Sequence, residues 1–261
     1  ELRDPTGAVD EDLRAQKSFH LVGGVVYDFL WENISPKKFR LTAEAYYKRL
    51  WDRGTDELDN VRIRYSGEND ATGYVVGFDA RLNGEFVPGA ESWINISFLR
   101  ARESINGVTH LRRDFGEAEA KEVSDVPRPT DQLASVNIFF QDYLPRNKNV
   151  KVHLNLVYTS GLPFGLRGNN RIYRNTYRFR DYWRADIGFS LQLWNRDWLG
   201  RKPNHLLRFS RSTWVSLEVF NLMAIRNVAN NTWIKSIYGS EFAIPNYLTS
   251  RRVNLRFRME L

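Results

Sequence analysis

The sequence predicts an all-β chain, an antiparallel up-and-down transmembrane β-barrel segment, and three observations predict it. The first is alternation. In the stretch Arg251 to Leu261, the residues Val253, Leu255, Phe257, Met259 and Leu261 fall on one side of an extended strand, and Asn254, Arg256, Arg258 and Glu260 on the other. Side chains of a strand alternate with period two, so this is one apolar face against one charged face. A water-soluble sandwich would read this as core and water, and an outer-membrane barrel as lipid and wet lumen. The second observation is length. The alternating segments run to roughly 10 to 14 residues, longer than the usual 5 to 6 of globular sheets and close to a tilted span of about 9 to 11. The third is the connections, which mostly alternate short and long. Short turns at one end and long loops at the other are the barrel layout, with the short turns periplasmic. A sandwich gives no reason for that alternation.

The expectation is a single unit, 1–261, with a loop over 1–16 and about eight strands. They are drawn from the alternating segments near 17–30, 39–51, 73–87, 92–102, 132–144, 150–160, 182–193, 213–222 and 251–261. In the first segment Phe19, Leu21, Gly23, Val25, Tyr27 and Phe29 share a face. In the second, Phe39, Leu41, Ala43, Ala45 and Tyr47 point outward, and Arg40, Thr42, Glu44, Tyr46 and Lys48 inward. Charges at Arg40, Glu44 and Lys48 suit a wet lumen better than a packed core. Tyr74, Val76, Phe78, Ala80 and Leu82 then oppose Gly77, Asp79, Arg81 and Asn83, and Pro88-Gly89-Ala90 reads as a tight turn. Ile94, Ile96 and Phe98 oppose Asn95 and Ser97. A long polar stretch follows, in which DFGEAEAKEV, from Asp114 to Val123, is expected to form a short helix.

Ala134, Val136, Ile138 and Phe140 come next, opposed by Ser135, Asn137, Phe139 and Gln141, with a short turn over Pro145 to Asn149. Val152, Leu154, Leu156 and Tyr158 oppose Lys151, His153 and Asn155. A long loop rich in Arg and Tyr separates them from Trp183, Ala185, Ile187, Phe189 and Leu191, which oppose Arg184, Asp186, Ser190 and Gln192. Val215, Leu217 and Val219 oppose Trp214, Ser216 and Glu218, and one more long loop leads to the final strand.

Composition narrows the function. The 261 residues contain no Cys, which excludes disulfides, thiolate metal sites and a Cys nucleophile. Aromatics make up 14%, with 8 Trp and 12 Tyr, enough for the girdles that edge a membrane band. The net charge of +7 is spread along the chain rather than gathered in a tail, and we expect no nucleic-acid partner. No apolar run of about 18 residues exists, so no transmembrane helix is expected. The opening residues ELRDPTGAVDEDLRAQ are charged and loop-like rather than a signal peptide, and we expect them to be the tail of a loop in a fragment of a longer protein.

Several segments together resemble the carboxyl-terminal barrel of TonB-dependent outer-membrane receptors, in the version found in Bacteroidetes. They are DNVRIRYSGENDATGYVVGFDARLNGEF (Asp59 to Phe86), YTSGLPFG (Tyr158 to Gly165), YWRADIGFS (Tyr182 to Ser190), VFNLMAIRNVANNTWI (Val219 to Ile234) and the terminal strand. The last residue is Leu261, where these receptors often end in Phe. The resemblance implies a location in the outer membrane of a Gram-negative bacterium. It also implies that the strands are the last part of a 22-stranded barrel around a plug domain, which this sequence does not contain. The expected partners are then the rest of the same receptor, the TonB complex acting through the plug, a surface lipoprotein and lipopolysaccharide. The expected function is import of a nutrient, with no cofactor.

The loop GLPFGLRGNNRIYRNTYRFRDYWR carries the candidate binding residues Arg167, Arg171, Tyr173, Arg174 and Tyr177. Arg offers planar forks to carboxylate or phosphate, and Tyr offers stacking with one hydroxyl, so an anionic or peptide-like substrate would suit them. The competing reading is that these arginines bond neighbouring loops or lipopolysaccharide phosphates. Asp56, Glu57, Asp59, Glu68 and Asp70 lack the spacing of a calcium loop, and we read them as solvated charge. His20, His110, His153 and His205 lie far apart without ligand spacing. No nucleophile elbow, P-loop or paired-carboxylate motif is present, so no enzymatic activity is expected. The alternative to transport is a stand-alone small barrel acting as an adhesin or structural protein. A membrane hydrolase is disfavoured by the missing nucleophile.

Overall fold

The structure is a computed structural model that describes residues 13–59, 62–87, 90–113, 117–144, 147–165, 171–198 and 203–261. Nine long strands pair in chain order in one sheet, each antiparallel to its neighbours. They are β1 (Lys17–Leu30), β2 (Lys38–Arg53), β3 (Ala71–Val87), β4 (Ala90–Ile105), β5 (Ala134–Leu144), β6 (Asn147–Thr159), β7 (Tyr182–Asn195), β8 (Ser212–Phe220) and β9 (Arg252–Glu260). A two-residue strand, Val126–Pro127, adds to β4 beyond the start of β5. The expected count of about eight is therefore corrected to nine, because every one of the alternating segments joins the sheet. Among the described residues β1 pairs only with β2 and β9 only with β8, so the sheet is open at both edges.

The register converts the alternation of each strand into continuous rows. One row runs Val25, Ala43, Ala80, Ile96, Val136, Tyr158 and Trp183 across the first seven strands. Another runs Phe140, Leu154, Ile187, Val219 and Val253 across the last five. Between them lies the opposite face: Glu44 against Asp79, Asp79 against Ser97, Ser97 against Ser135. A slip of one residue between two strands would mix the faces, and the pairings avoid it along these rows; register shifts occur only toward strand ends, at Leu50/Arg53, Gly84/Val87, Tyr143/Leu144 and Gln192/Trp194. The face assigned to each residue in the sequence reading holds through all these rows.

Neither face is covered. Leu21, Val25 and Tyr27 on one face of β1 are 63%, 57% and 59% exposed, and Val22 and Val26 on the other are 57% and 62% exposed. The accessible surface is 17584 Å² for a 30.6 kDa chain, where a compact monomer of that mass would show about 12,000 Å². A soluble sandwich would need a second layer on the apolar face, and the described residues supply none. Tight packing is confined to the two ends of the sheet. At the short-turn end Phe39 is fully buried among Phe29, Trp31 and Phe86, with ring centroids 5.0 to 5.9 Å away. Trp194, near the end of β7, is buried under the β7–β8 connection, stacked 4.5 Å from His205 and donating its indole N–H to the Ser210 carbonyl at 3.0 Å.

The connections alternate as expected, and the long ones are structured. Small hairpins stand in them: Asp56–Asp59 with Arg62–Tyr65, His110–Arg112 with Lys121–Val123, Pro163–Phe164 with Tyr177–Arg178, and Val228–Lys235 with Glu241–Tyr247. The short helix expected over Asp114 to Val123 is not found. Residues 117–120 are irregular and Lys121–Val123 is a strand; 114–116 lie outside the described residues. A ten-residue helix is marginal alone, and here pairing with His110–Arg112 wins. The turn at Pro88-Gly89 also lies outside the described residues.

Candidate functional site

The polar face of the sheet carries fixed charge networks. Arg40 donates to both carboxylate oxygens of Asp28, at 2.7 and 2.9 Å. Asp186, 5% exposed, accepts from Arg184 Nε at 2.7 Å and from the Asn221 backbone N–H at 2.8 Å. Glu218, 3% exposed, accepts from Asn254 at 2.8 Å and Arg256 at 3.1 Å, with His153 Nε2 3.7 Å away. Glycines let the larger side chains of this face lie flat. A Cβ at Gly77 would overlap the Tyr46 ring, and one at Gly188 the His153 ring. The result is a smooth polar wall suited to water or to another polar surface.

The long-loop end holds the densest cluster. Glu103, near the end of β4, is 1% exposed and faces three guanidinium groups. Arg174 Nε donates to it at 2.6 Å, Arg53 at 3.0 Å, and Arg128 Nε stands 3.8 Å away. Arg174 also donates to the Asp56 carbonyl at 2.5 Å. Four chain segments thus meet on one carboxylate. Burial, with Arg53 beside it, holds the Arg128 guanidinium below its usual pKa. A second clamp is Asp131, fully buried, which accepts from the Ala101 backbone N–H at 2.5 Å and from the Arg178 guanidinium. A third is His110, 1% exposed. Its Nε2 accepts from the Ile105 N–H at 3.1 Å, so Nδ1 carries the proton and donates to the Arg171 carbonyl at 2.7 Å.

These clamps sort the residues singled out from sequence. Arg174 is buried and bound to Glu103, so it holds loops together and presents no surface to a ligand. Arg171 reaches Asp70 at 3.0 Å with its side chain still 41% exposed. Tyr177 is 46% exposed and rests against Phe164, with ring centroids 5.8 Å apart. Tyr173 is half-buried, and its carbonyl accepts from Thr176. Arg167 lies outside the described residues. Asp70, read from sequence as solvated charge, is 9% exposed and accepts from the Thr55 N–H at 3.2 Å and the Thr55 hydroxyl at 3.1 Å. It organises its loop because the chain folds back on it there.

The sequence reading missed Glu103, Asp131 and His110 as organisers. One signal was present for Glu103: it shares its strand face with Ala101 and Ile105, an acid between two apolar residues. An acid in such a place requires a counter-charge. Nothing local marks Asp131. We expect Asp131→Ala to leave the Ala101 N–H without its acceptor and Arg178 with only the backbone carbonyls of residue 131 and Gly161. Trypsin should then cut after Arg178 several times faster than in the parent protein, measured by mass spectrometry of the folded protein. An unchanged cleavage rate would show that Asp131 does not hold this loop.

No protein-family model matches the chain, and no curated protein matches it. Among solved structures, the crystal structure of the outer membrane transporter YddB from Escherichia coli is similar. The TM-score is 0.55 at 13% identity, over 95% of this chain and 33% of that one. At that identity the likeness concerns the fold. The chain spans about one third of the length of the transporter it matches, and its nine-stranded open sheet has the form of part of a β-barrel wall.

Proposed function

We propose that this chain is a section of the wall of a TonB-dependent outer-membrane receptor of the Bacteroidetes type, which imports a nutrient through a plugged barrel. The observation that carries the reading is the odd number of strands joined to two bare edges. With nine strands in an antiparallel meander, β1 and β9 run in the same direction. Closing the sheet on itself would need a parallel seam, whereas single-chain bacterial barrels close with an even number of antiparallel strands. An odd number of further strands must complete the wall, which favours a large barrel over a stand-alone small one. Barrels of about 22 strands hold a plug, and the charged inner wall suits contact with one. Energy would then reach the plug from an inner-membrane complex, and no chemistry is asked of this chain. Arg171 and Tyr177 are the exposed members of the loop set and are the contacts we assign to substrate capture.

Cross-linking between Val25→Cys on β1 and Val253→Cys on β9 tests the reading in assembled protein from outer membranes. We expect no bond between the two positions, and a thiol-attached photo-cross-linker placed at either one should capture a segment outside residues 17–260. A Val25–Val253 link in the assembled protein would mean a small closed barrel and would overturn the proposal. So would recovery of the folded protein in the soluble fraction.

A further inference from the structure

We infer that the connection between β7 and β8 is an anchor for anionic phospholipid in the periplasmic leaflet of the membrane. The inference rests on the outer-membrane reading above. The other connections at the short-turn end span 31–37, 88–89 and 145–146, whereas this one spans 196–211. Periplasmic turns of a barrel are short, so the extra length calls for another use. The register shows which side of the wall it takes. Leu191, Val215 and Phe257 form one row of the apolar face, and beyond a bulge the next row is Trp194, Thr213 and Met259. Leu191 and Phe257 in the first row are exposed. In the second, Trp194 and Thr213 are fully buried and Met259 is half-buried. The cover is the connection itself. His205 stacks on Trp194, the Ser210 carbonyl accepts the Trp194 indole N–H, and the Ser210 hydroxyl lies 2.9 Å from that of Thr213. Backbone bonds from the Arg208 N–H to His205 and from the Ser210 N–H to Leu207 close its turns, at 3.1 and 3.0 Å. The chain is thereby held over the face that the apolar rows turn to lipid, away from the polar wall.

What the connection presents there is both apolar and basic. Leu206 is 86% and Phe209 59% exposed, beside the exposed Arg208 and Arg211. Residues 196–211 hold five basic side chains against one acid, Asp197. Among the described residues Arg196, Arg208 and Arg211 form no ion pair. Glu260, on the adjoining end of β9, is occupied by the Ser212 hydroxyl at 2.9 Å and by Arg258. Apolar side chains at this level enter the boundary between headgroups and acyl chains, while the long arginine stems carry their charge up to headgroup phosphate. Each basic residue close to an anionic leaflet adds to the attraction. A zwitterionic headgroup also bears a phosphate, but its own cation offsets the charge that unpaired arginines select. A periplasmic protein would accept Leu206 and Phe209 equally well, yet it gives no reason for them to stand on the lipid side of the wall.

The test uses the assembled protein from outer membranes, reconstituted in bilayers of phosphatidylglycerol and phosphatidylcholine in equal parts. Leu206→Cys carries a polarity-sensitive probe, and bromine is placed on the acyl chains of one lipid or the other. We expect phosphatidylglycerol to be enriched at least about fivefold over phosphatidylcholine around that probe, the scale of one basic residue at an anionic surface. A probe at Phe209→Cys should report the same preference independently. Arg208→Gln with Arg211→Gln, both at exposed positions, should remove most of the enrichment while the barrel keeps its heat-modifiable migration. A probe at Leu255→Cys, on the bare wall, is the control, and both lipids should quench it alike. Three results would overturn the inference. Quenching by neither lipid at residues 206 and 209 would mean that the connection meets water or a protein. Equal quenching by both lipids there would mean no selection of charge, and an enrichment unchanged in the double variant would mean that these arginines do not select it. With the Leu255→Cys probe still quenched, each of these leaves the outer-membrane reading standing. Loss of quenching at residue 255 as well would sink that reading itself.

Discussion

Leu255→Arg is expected to block assembly into the outer membrane, whereas Arg256→Leu should leave an assembled protein. The two residues are neighbours on β9 and stand on opposite faces. Leu255 pairs with Leu217 in an apolar row and is 72% exposed, with nothing packed over it. Arg256 pairs with Ser216 on the polar face and reaches Glu218 at 3.1 Å. An Arg on the lipid face costs roughly 2 to 4 kcal/mol at mid-membrane and less toward the interfaces. Removing Arg256 takes one partner from the buried Glu218 carboxylate, which keeps Asn254 at 2.8 Å and has His153 Nε2 3.7 Å away on the wet face. Labelling separates this account from a soluble fold. The chain has no native Cys, so single Cys substitutions at Leu255, Arg256 and Phe257 can each carry a polarity-sensitive probe. Lipid-borne quenchers should quench the probe at Leu255 and Phe257 and spare the one at Arg256. Equal lack of quenching at all three positions, in assembled protein, would sink the barrel reading.

Glu103→Gln should loosen the whole long-loop end. The carboxylate is buried, and it is the shared acceptor of Arg53 and Arg174, with Arg128 close by. Three guanidinium groups around one carboxylate already carry excess positive charge. Neutralising the carboxylate leaves them to repel each other in a site that water reaches poorly. Breaking a buried pair by removing one partner costs about 3 to 5 kcal/mol. The sheet should survive, because its rows lie below this cluster. Hydrogen exchange should therefore rise in residues 106–133 and 171–181 and stay unchanged in β6 to β9. The reverse substitution pattern gives a control: Arg174→Leu removes one cation and leaves Glu103 with Arg53, so its effect should be smaller. If Glu103→Gln left loop exchange at the parent level, the cluster would not be the clamp described above.

The fold was legible where its physics is local. Whether Val253 or Asn254 points to the apolar side follows from the pleat of one strand, and a reader of the sequence can apply that rule segment by segment. The same rule marks Phe39 and Arg40, or Phe189 and Ser190, on opposite faces, and the register keeps these assignments up to the bulges near strand ends. Connection lengths are equally local, so the two ends of the sheet could be told apart. The number of strands depended on accepting each alternating segment as a sheet member, and a count of about eight left open a closed antiparallel barrel that nine does not allow.

The site was less legible, because its contacts join residues that the sequence keeps far apart. Arg174 and Arg171 both read as candidate ligand contacts in one Arg-rich loop. Folding brings Glu103 to Arg174 across 71 positions and buries the pair, while Arg171 keeps an exposed side chain. Nothing within that loop distinguishes them. Likewise Asp70 reads as loop charge until Thr55 and Arg171 close around it. The sequence by itself determined which side chains face each way along the middle of each long strand, since a strand's two faces are set by its own backbone, but not the bulges near strand ends. Only the tertiary structure decided which charges are clamps and which remain open to a ligand. That depends on which loops meet above the sheet, and the meeting is set by the register of strands distant in the chain.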